Sequence, residues 1–408
     1  MVAGEAILSY LPYTHSFEQA LFSLSLYIGL RIGYYQGNPL KLVEDCSVLK
    51  PHYFFSVPRV YNKIYGALKQ RFNSVTGCKK WLLDRGINSK MAALHANGEV
   101  RSSCYDMLLF GKAAAMLGGN VRAMLTGSAP IDKQVIDFLK ICFSCTIVEG
   151  YGLTESAAAG CVMRTEDMVT GHVGGPTEIT KFRIKDLPDM NYMTTDKPYP
   201  RGELVMTGPV IFKGYFRNPE KTAKSFDAEG WFMTGDVVQI YPNGSVKIID
   251  RSKNIFKLSQ GEYIAPEKIE NIMGLSPFIA QALIYGDSLK NSCVAVVVPE
   301  PGVVAQWARE RNIDTTNLET LCANADLKKA IIADMLRLST ENKLTTLERP
   351  KDVHLSAVPF TVENGTVTPT FKIKRHQASN LYTREIDAMY EHISVAENAR
   401  DAAHNARD

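Results

Sequence analysis

The sequence predicts an α/β protein with three parts: a doubly wound α/β large domain, a small β subdomain and a small α+β C-terminal domain. Apolar strand-like runs alternate with helical patterns up to residue 150, as in sheets that carry helices on both faces. From about residue 170, short apolar runs are separated by Gly, Pro and Asn-Gly, which is typical of antiparallel strands. Helical and strand patterns mix again after residue 250. The predicted parts are 1–169, 170–249 and 250–390, followed by a frayed tail at 391–408.

The individual elements follow from the spacing of apolar residues and from turn signals. Strands are predicted at 6–12, 54–57 (within 48–58, stopped by Pro58), 121–125, 145–148, 237–241, 245–249, 279–285 and 293–299. Helices are predicted at 16–30, 59–73, 99–118, 262–275 and 326–343, with a further helix that begins after Asp132, and the helix at 16–30 is expected to be buried. A polar, glycine-containing region is expected between residues 73 and 99, and an exposed loop at 186–200.

The bulk composition describes an ordinary globular chain. Its 408 residues are 45% apolar and 22% charged, which predicts two or three domains with ample core. A net charge of +3, with no clustered basic stripe, argues against a nucleic-acid partner. The longest apolar stretch, 20–35, is short for a membrane span and contains Arg31.

The stretch 148–156, V-E-G-Y-G-L-T-E-S, carries the most chemistry. Its glycines at 150 and 152 are expected to break the preceding strand and to let backbone approach a ligand closely. The pair Thr154-Glu155 offers a hydroxyl and a hard anionic oxygen, which suit a phosphate and its divalent metal. The plain alternative for such a segment is a strand followed by a glycine turn.

A second glycine loop, L-T-G-S-A-P at 125–130, lies upstream of this stretch. The strand before it, the helix after Asp132 and the strand at 145–148 have the spacing of a βαβ unit, whose two strands are parallel. Both loops therefore follow the carboxyl ends of neighbouring strands, the edge at which open α/β sheets bind ligands. This placement predicts a nucleotide crevice.

Several further stretches carry a resemblance to a known family. They lie in the family's order at 11–19 (L-P-Y-T-H-S-F-E-Q), 31–37 (R-I-G-Y-Y-Q-G), 57–65 (V-P-R-V-Y-N-K-I-Y), 202–216 (G-E-L-V-M-T-G-P-V-I-F-K-G-Y-F), 230–236 (G-W-F-M-T-G-D), 250–270 (D-R-S-K-N-I-F-K-L-S-Q-G-E-Y-I-A-P-E-K-I-E) and 369–375 (P-T-F-K-I-K-R). With the two glycine loops they resemble the long-chain acyl-CoA synthetases, or fatty-acid–CoA ligases, of the adenylate-forming superfamily, in their eukaryotic type. Luciferase-like and aryl-CoA ligases share the central loop, but the stretches at 31–37 and 250–258 favour the fatty-acyl branch.

The resemblance implies ATP, Mg²⁺, CoA and a long-chain fatty acid as cofactors and substrates. The carboxylate attacks the α-phosphate of ATP, and the CoA thiol then attacks the acyl-adenylate. Glu155 would ligate Mg²⁺ and Thr154 would hydrogen-bond phosphate. The residues that would line the nucleotide and acyl-carbonyl region are Gly127, Ser128, Glu149, Gly150, Tyr151 and Gly152.

The other implied roles each have a plainer alternative. Asp236 would accept hydrogen bonds from the ribose hydroxyls, or simply cap a turn, and Arg251 would pair with ribose or phosphate. Lys253 would be the hinge of a mobile C-terminal domain, or a solvated charge. Lys372 would bridge the attacking carboxylate and phosphate, although alone it is part of a basic surface run.

The acyl and CoA channel is implied at two positions. His15 matches a histidine beside this channel, whereas a lone histidine after a strand is more often merely packed. Gly261, within 257–265, would sit against CoA in the second step.

The sequence departs from the family at one point. Members carry a Ser/Thr/Gly-rich phosphate loop ending in Pro-Lys-Gly upstream of the L-P-x-x-H segment, whereas only residues 1–10 precede that segment here and no G-T-T-G-like run occurs. The α/β large domain is therefore expected to be partial. Three interpretations stay open: a fatty acid–CoA ligase, a pseudoenzyme or partner-binding fragment that binds nucleotide or CoA without ligation, and a truncated part of a complete enzyme.

Location follows from the same observations. No secretory signal opens the sequence, which favours an intracellular protein. The expected place is the cytoplasm or the cytosolic face of an organelle membrane, and a peripheral membrane contact remains open because a fatty acid partitions into lipid. The oligomeric state has no signature in the sequence.

Overall fold

The computed structural model describes residues 1–167, 169–313 and 316–405, and it confirms the predicted α/β fold class. The chain divides into two compact units, residues 1–249 and residues 250–408. The first unit contains a mixed sheet with helices and a second, antiparallel sheet. The second unit contains a three-stranded sheet between helical layers.

Seven strands form the larger sheet of the first unit. They are β1 (Ala6–Ser9), β2 (Arg31–Tyr34), β3 (Tyr53–Ser56), β4 (Ala123–Thr126), β5 (Thr146–Tyr151), β6 (Cys161–Val162) and β7 (Gly175–Pro176). Their order is β2-β1-β3-β4-β5-β6-β7, with β1 to β5 parallel and the last two pairs antiparallel. The strand order reverses at β1, as in doubly wound sheets, so a crevice is expected at the carboxyl ends of these strands.

The helices of this region are α1 (Ser16–Ile28), α2 (Leu42–Leu49), α3 (Pro58–Asn73), α4 (Gly77–Asn97), α5 (Ser103–Tyr105), α6 (Gly111–Met116) and α7 (Lys133–Phe143). The α7 helix begins as predicted, because the Asp132 carboxylate accepts a hydrogen bond from the Gln134 N–H and caps the first turn. Pro58 opens α3, a position that tolerates its missing N–H. The expected helix at 99–118 is shorter and begins at Ser103.

Two predictions for this region are wrong. The region between residues 73 and 99 is not irregular but forms the 21-residue helix α4. Gly86, which gave this region a loop-like composition, lies inside the helix. Leu109 packs closely against it, since an added Cβ would lie 2.6 Å from Leu109 Cδ1. The α1 helix is not buried as expected, because Leu26 and Tyr27 are exposed.

The smaller sheet of the first unit contains β8 (Lys181–Lys185), β9 (Arg201–Thr207), β10 (Phe232–Ile240) and β11 (Val246–Arg251), and one helix, α8 (Pro219–Ala223). The strand order is β11-β10-β9-β8, and β9 is antiparallel to both its neighbours. Its apolar face buries Leu204, Met206 and Val238 together with Cys161 of the first sheet. This shared core fixes the small sheet beside the end of β5.

The second unit contains β12 (Phe256–Lys257), β13 (Tyr263–Ile264), β14 (Ile279–Tyr285), β15 (Val294–Pro299) and β16 (Val353–Leu355). Its helices are α9 (Pro266–Met273), α10 (Pro301–Arg309), α11 (Leu318–Cys322), α12 (Ala325–Glu341), α13 (Arg375–Leu381) and α14 (Thr383–Asn405). Alternate residues of β15 face two separate cores, with Val294 and Val296 on one side and Ala295 and Val297 on the other. A strand buried on both faces has this pattern.

The predicted frayed tail begins within a helix. Helix α14 continues through residue 391 to Asn405, and residues 406–408 lie outside the described residues. Its first turns bury Ile386, Met389 and Tyr390 against the sheet, which anchors the helix. Within the described ranges, no helix combines the length and the apolar character that crossing a bilayer needs.

Candidate active site

A cavity of about 210 Å³ opens at the carboxyl ends of β1, β4 and β5. The predicted residues that line it are His15, Gly127, Ser128, Gly150, Tyr151 and Gly152. Segments far apart in the sequence therefore meet at one edge of the sheet, as the predicted βαβ arrangement requires. Phe17, Leu125 and Ala158 give much of the remaining wall an apolar character.

Two polar residues of this wall have distinctive backbone or capping roles. Ser128 has φ 76°, a left-handed conformation that is uncommon outside glycine and often marks a functional loop. His15 caps α1, because its Nδ1 atom accepts a hydrogen bond from the Phe17 N–H at 3.2 Å. That nitrogen therefore carries no proton, and the ring is held at the cavity edge.

Gly152 lines the cavity, and the backbone of the loop that follows leaves no space for a side chain at this position. The loop after β5 folds back on itself, and the Ala158 N–H donates to the Leu153 carbonyl at 2.9 Å. A Cβ on Gly152 would lie 2.2 Å from the Ala158 carbonyl oxygen, which is a backbone atom that cannot rotate away. The loop conformation therefore depends on glycine at this position.

We expect Gly152→Ala to destabilise the fold by about 1–3 kcal/mol and to weaken nucleotide binding in the predicted crevice, for which AMP is the probe. The reason is that the loop 153–158 must move to relieve the contact with the Ala158 oxygen. Urea denaturation and AMP titration measure the two effects. The matched control is Gly66→Ala in α3, where an added Cβ meets nothing within 4 Å. An unchanged Gly152→Ala protein would contradict the proposed tight loop.

One sequence prediction about this stretch needs correction. Gly150 does not break the strand, because β5 continues to Tyr151 and pairs there with Cys161 of β6. Glu149 is not among the residues that line the cavity. Its side chain is 6% exposed, and its Oε1 atom accepts a hydrogen bond from the Gly171 N–H at 3.1 Å.

Burial raises the pKa of the Glu149 carboxyl from 4.5 to about 8, although the Gly171 N–H and the Lys140 charge act in the opposite direction. Between these two pH values, the folded protein keeps a proton that the unfolded chain releases. The free energy of unfolding should therefore fall as the pH rises towards 8, by a few kcal/mol at about 1.4 kcal/mol per pKa unit.

We expect Glu149→Gln to reduce this pH dependence, because glutamine is neutral throughout and keeps an acceptor for Gly171. Urea denaturation at about pH 5 and about pH 8.5 measures the change in the free energy of unfolding. The exposed carboxylate of Glu44 provides the control variant Glu44→Gln, which should keep the wild-type dependence. An equal pH dependence in Glu149→Gln and wild type would refute the buried neutral carboxyl.

A bulge in β10 directs Asp236 towards β5. Between the pairs Met233–Val205 and Val237–Glu203, three residues of β10 face the single residue Leu204 of β9. Gly235 adopts φ 71° at this point and donates its N–H to Glu203 Oε1 at 2.9 Å. Bulges of this kind turn a side chain out of the regular alternation and recur beside active sites.

The Asp236 carboxylate is 3% exposed and accepts a hydrogen bond from the Tyr151 hydroxyl at 2.6 Å. Burial, reinforced by the charge of Asp236, raises the pKa of Tyr151 far above 10, so the phenol remains a donor. The predicted ribose acceptor is thus joined directly to a residue of the cavity wall. A carboxylate can accept several hydrogen bonds, so a bound diol and Tyr151 can share it.

Thr154 and Glu155 form a 3₁₀ turn with Ser156 immediately after the cavity loop. Thr154 is exposed, and neither Thr154 nor Glu155 is among the residues that line the cavity itself. The half-exposed Glu155 carboxylate accepts a hydrogen bond from the Tyr215 hydroxyl at 2.8 Å, and its carbonyl accepts from the Phe212 N–H at 2.8 Å. We call these two bonds the Glu155 clasp.

The arrangement at Glu155 fits a magnesium ion that is bound mainly by substrate phosphates. Mg²⁺ in nucleotide sites keeps several waters and takes only one or two carboxylates from the protein. Across the described residues, no group of three or more His, Cys, Asp and Glu side chains is placed to hold a metal. The partly exposed Glu155 carboxylate, held by the Tyr215 hydroxyl, fits that coordination pattern.

Four predicted site residues lie in the second unit. Arg251 ends β11, and Lys253 is exposed in the turn that follows. Gly261 lies in the turn between β12 and β13, where its N–H donates to the Leu258 carbonyl at 2.9 Å. Lys372 is half-buried in the segment before α13, and its N–H donates to Thr368 Oγ1 at 3.1 Å.

Tyr215 is the residue of this region that sequence reasoning missed. It lies in the stretch 202–216 that carries the resemblance, but its phenol contact with Glu155 spans 60 positions of sequence. The only available signal was the aromatic residue after Gly214 in G-Y-F. No spacing rule links such a residue to a distant carboxylate.

Comparison with known proteins gives the family. The family model described as "AMP-binding enzyme" matches residues 1–216, more than half of the chain. The chain belongs to the AMP-binding enzyme family. It is 44% identical to long chain acyl-CoA synthetase 7, peroxisomal, of Arabidopsis thaliana over 96% of this chain and 56% of that protein. It is 40% identical to human long-chain-fatty-acid–CoA ligase 1 over 96% of this chain and 55% of that protein.

A solved structure has the same fold. The adenylation domain of carboxylic acid reductase from Segniliparus rugosus, in complex with AMP and a co-purified carboxylic acid, superposes with a TM-score of 0.77 at 28% identity, covering 95% of this chain and 55% of that one. This AMP-binding family member therefore has the adenylate-forming enzyme fold. The chain spans about half the length of the curated relatives it matches.

Proposed function

We propose that the chain acts in the ATP-dependent ligation of a long-chain fatty acid to CoA, as an AMP-forming acid–thiol ligase. The observation that supports this most strongly is the cavity at the carboxyl ends of β1, β4 and β5, in a chain of the AMP-binding family. Two glycine loops line it, and Tyr151 joins its wall to the buried carboxylate of Asp236. This combination suits a nucleotide and an acyl group held side by side.

The proposed reaction has two steps. In the first, an oxygen of the fatty-acid carboxylate bonds to the α-phosphorus of ATP, and pyrophosphate leaves. In the second, the CoA sulfur bonds to the acyl carbon, its proton is lost, and AMP leaves. Both steps depend on positioned positive charge and hydrogen-bond donors at oxygens that gain charge.

The residue roles are proposals of the same kind. Glu155 ligates Mg²⁺, Thr154 hydrogen-bonds phosphate, and Asp236 accepts from the ribose. Arg251 pairs with ribose or phosphate, and Lys372 supplies positive charge during adenylation. We further propose that residues 250–390 act as a mobile domain with Lys253 as its hinge. His15 and Gly261 belong to the acyl and CoA channel.

The protein is proposed to be intracellular, in the cytoplasm or as a peripheral protein on the cytosolic face of an organelle membrane. Its substrate partitions into lipid, which supports a peripheral contact. Two of the similar plant proteins carry the word peroxisomal in their names.

We propose binding of nucleotide or CoA without ligation as a second function. The two glycine loops at the cavity and the buried carboxylate of Asp236 suit a bound nucleotide whether or not ligation follows.

One pair of assays separates these functions. Purified protein is incubated with ATP, Mg²⁺, CoA and palmitate, and AMP and palmitoyl-CoA are measured; a parallel reaction supplies palmitoyl-adenylate and CoA. Product in both assays supports the full ligase. Product only from the adenylate supports a chain that performs the thioester step. No product in either, with AMP still bound in a titration, supports the binding function and contradicts ligation.

A further inference from the structure

The segment that carries Lys372 is tied to the second unit by a buried ion pair. Arg375, three residues after Lys372, begins α13, and its side chain is 19% exposed. Its Nη1 atom donates to Glu270 Oε1 at 2.9 Å and its Nη2 atom donates to Glu270 Oε2, so the pair is bidentate. Nη1 also lies 3.3 Å from the Ile284 carbonyl. Such a planar, two-bond contact fixes direction as well as distance.

Glu270 is itself fixed from a second side. It belongs to α9, and its Oε1 atom accepts a hydrogen bond from the Ile284 N–H at 2.8 Å. Burial raises the pKa of Glu270, although Arg375 acts in the opposite direction. The Arg375 guanidinium is therefore the cation that compensates this buried carboxyl, and the two groups depend on each other.

The same helix holds the junction at the start of the second unit. Asp250 is fully buried, its Oδ1 atom accepts from the Arg251 N–H at 2.7 Å, and its Oδ2 atom accepts from the Glu267 N–H at 2.9 Å. Glu267 lies in the first turn of α9, where its Oε1 atom accepts from Asn254 Nδ2 at 2.9 Å. The carboxylate of Asp250 thus caps an N–H at the beginning of α9.

Helix α9 is therefore the common anchor of two segments that are distant in sequence. Its first turn binds residues 250–254, and its Glu270 binds the start of α13. The segment between 366 and 374 adds its own bonds, since the Lys374 N–H donates to the Thr366 carbonyl at 2.8 Å. Because Arg375 follows Lys372 by three positions, the chain reach from the Arg375 backbone to the Lys372 backbone is at most about 11 Å.

We propose that Arg375 is a positioning residue for Lys372: its bidentate bond to Glu270 fixes the lysine segment on α9 within the second unit. The proposal rests on the function proposed above, because it assigns Lys372 its place in the adenylation step. A buried ion pair contributes little net stability compared with apolar residues of similar volume. An apolar pair could not replace the directional hydrogen bonds between Arg375 and Glu270.

The test combines two variants with two measurements that need no ligase activity. Hydrogen exchange of the amides at 366–374 reports how firmly the segment is held, and acetylation of Lys372 by acetic anhydride, read by mass spectrometry, reports the exposure of its amine. In Arg375→Met we expect both rates to rise by about tenfold or more, as for a segment released from its anchor. Arg337→Met is the control, because the half-exposed Arg337 forms ion pairs with Asp334 and Glu341 on α12, and the variant should leave both rates unchanged.

The double variant Glu270→Met/Arg375→Met keeps the test valid if Arg375→Met alone unfolds. It removes both charges and refills the volume with apolar side chains, so the unit should remain folded. Faster exchange at 366–374 in this folded double variant supports the directional role. Wild-type exchange and wild-type Lys372 acetylation in it would overturn the proposal, since apolar packing alone would then hold the segment.

Activity gives the third measurement and separates this proposal from the proposed function. If the wild-type protein ligates, Arg375→Met should lose adenylation while it retains thioester formation from palmitoyl-adenylate. An equal loss of both steps indicates general destabilisation and contradicts a positioning role. If the wild-type protein shows no ligation but Arg375→Met still releases the segment, the anchoring stands and the proposed function fails.

Discussion

Glu155→Gln is expected to reduce Mg²⁺-dependent adenylate formation by about 10²–10³-fold, the usual cost of removing one group that stabilises developing charge. Glutamine keeps the size of the side chain and an oxygen that can accept the Tyr215 hydroxyl, so the Glu155 clasp should persist. What is lost is the negative charge that a hard cation requires. Glu155→Ala, which also removes the clasp's side-chain bond, should abolish ligation.

The rate of pyrophosphate release at several Mg²⁺ concentrations measures this effect, and binding of Mn²⁺ in the presence of ATP measures the metal site without turnover. Glu220→Gln is the matched control, because Glu220 is a glutamate of the same unit with a side chain that is 80% exposed. It should keep the wild-type rate and metal affinity. Unchanged Mn²⁺ binding in Glu155→Gln would remove Glu155 from the metal site.

Lys372→Ala should slow the first half-reaction, adenylate formation, and leave the second, thioester formation, unchanged. We expect adenylate formation to fall by about 10²–10³-fold, because the ammonium group that offsets charge between the attacking carboxylate and the phosphate is gone. Thioester formation from palmitoyl-adenylate should continue, since that step needs no bridge between carboxylate and ATP. Two rates are compared: AMP release when ATP is the substrate, and CoA consumption when palmitoyl-adenylate is the substrate.

Lys374→Ala is the control for Lys372, because Lys374 is exposed two positions away and belongs to the same basic run. It should leave both half-reactions at the wild-type rate. If Lys374→Ala lowered the rates of both half-reactions as much as Lys372→Ala does, the basic run would act only through its general charge. In that case the role of Lys372 would be wrong.

Local sequence patterns were sufficient to predict much of the fold. The α7 helix is predicted by its apolar spacing and by Asp132 at its start, and β14 and β15 by continuous apolar runs. The sequence-based predictions were wrong where tertiary packing outweighs composition. The α4 helix has a polar sequence with an internal glycine, and Gly86 serves the packing of Leu109 rather than a turn. The tail helix α14 likewise depends on side chains buried against a distant sheet.

The site shows the same division between local and distant information. The two glycine loops at the cavity follow from strand, helix and turn signals within thirty residues of one another, a range in which spacing rules apply. The direction of Asp236 depends on a bulge in β10, and the rotamer of Glu155 on Tyr215. Neither contact leaves a periodic signal, because each joins residues 60 or more positions apart.

The clasp between Tyr215 and Glu155 has a consequence for how segments of this kind can be exchanged between related proteins. A crossover between residues 169 and 201 would inherit the parallel strands from one parent and the phenol from the other. If the second parent had another residue at position 215, the Glu155 carboxylate would lose its side-chain hydrogen bond and the orientation that this bond gives, although all the predicted site residues were present. Recombination should therefore be tolerated better after residue 216 than within the preceding forty positions.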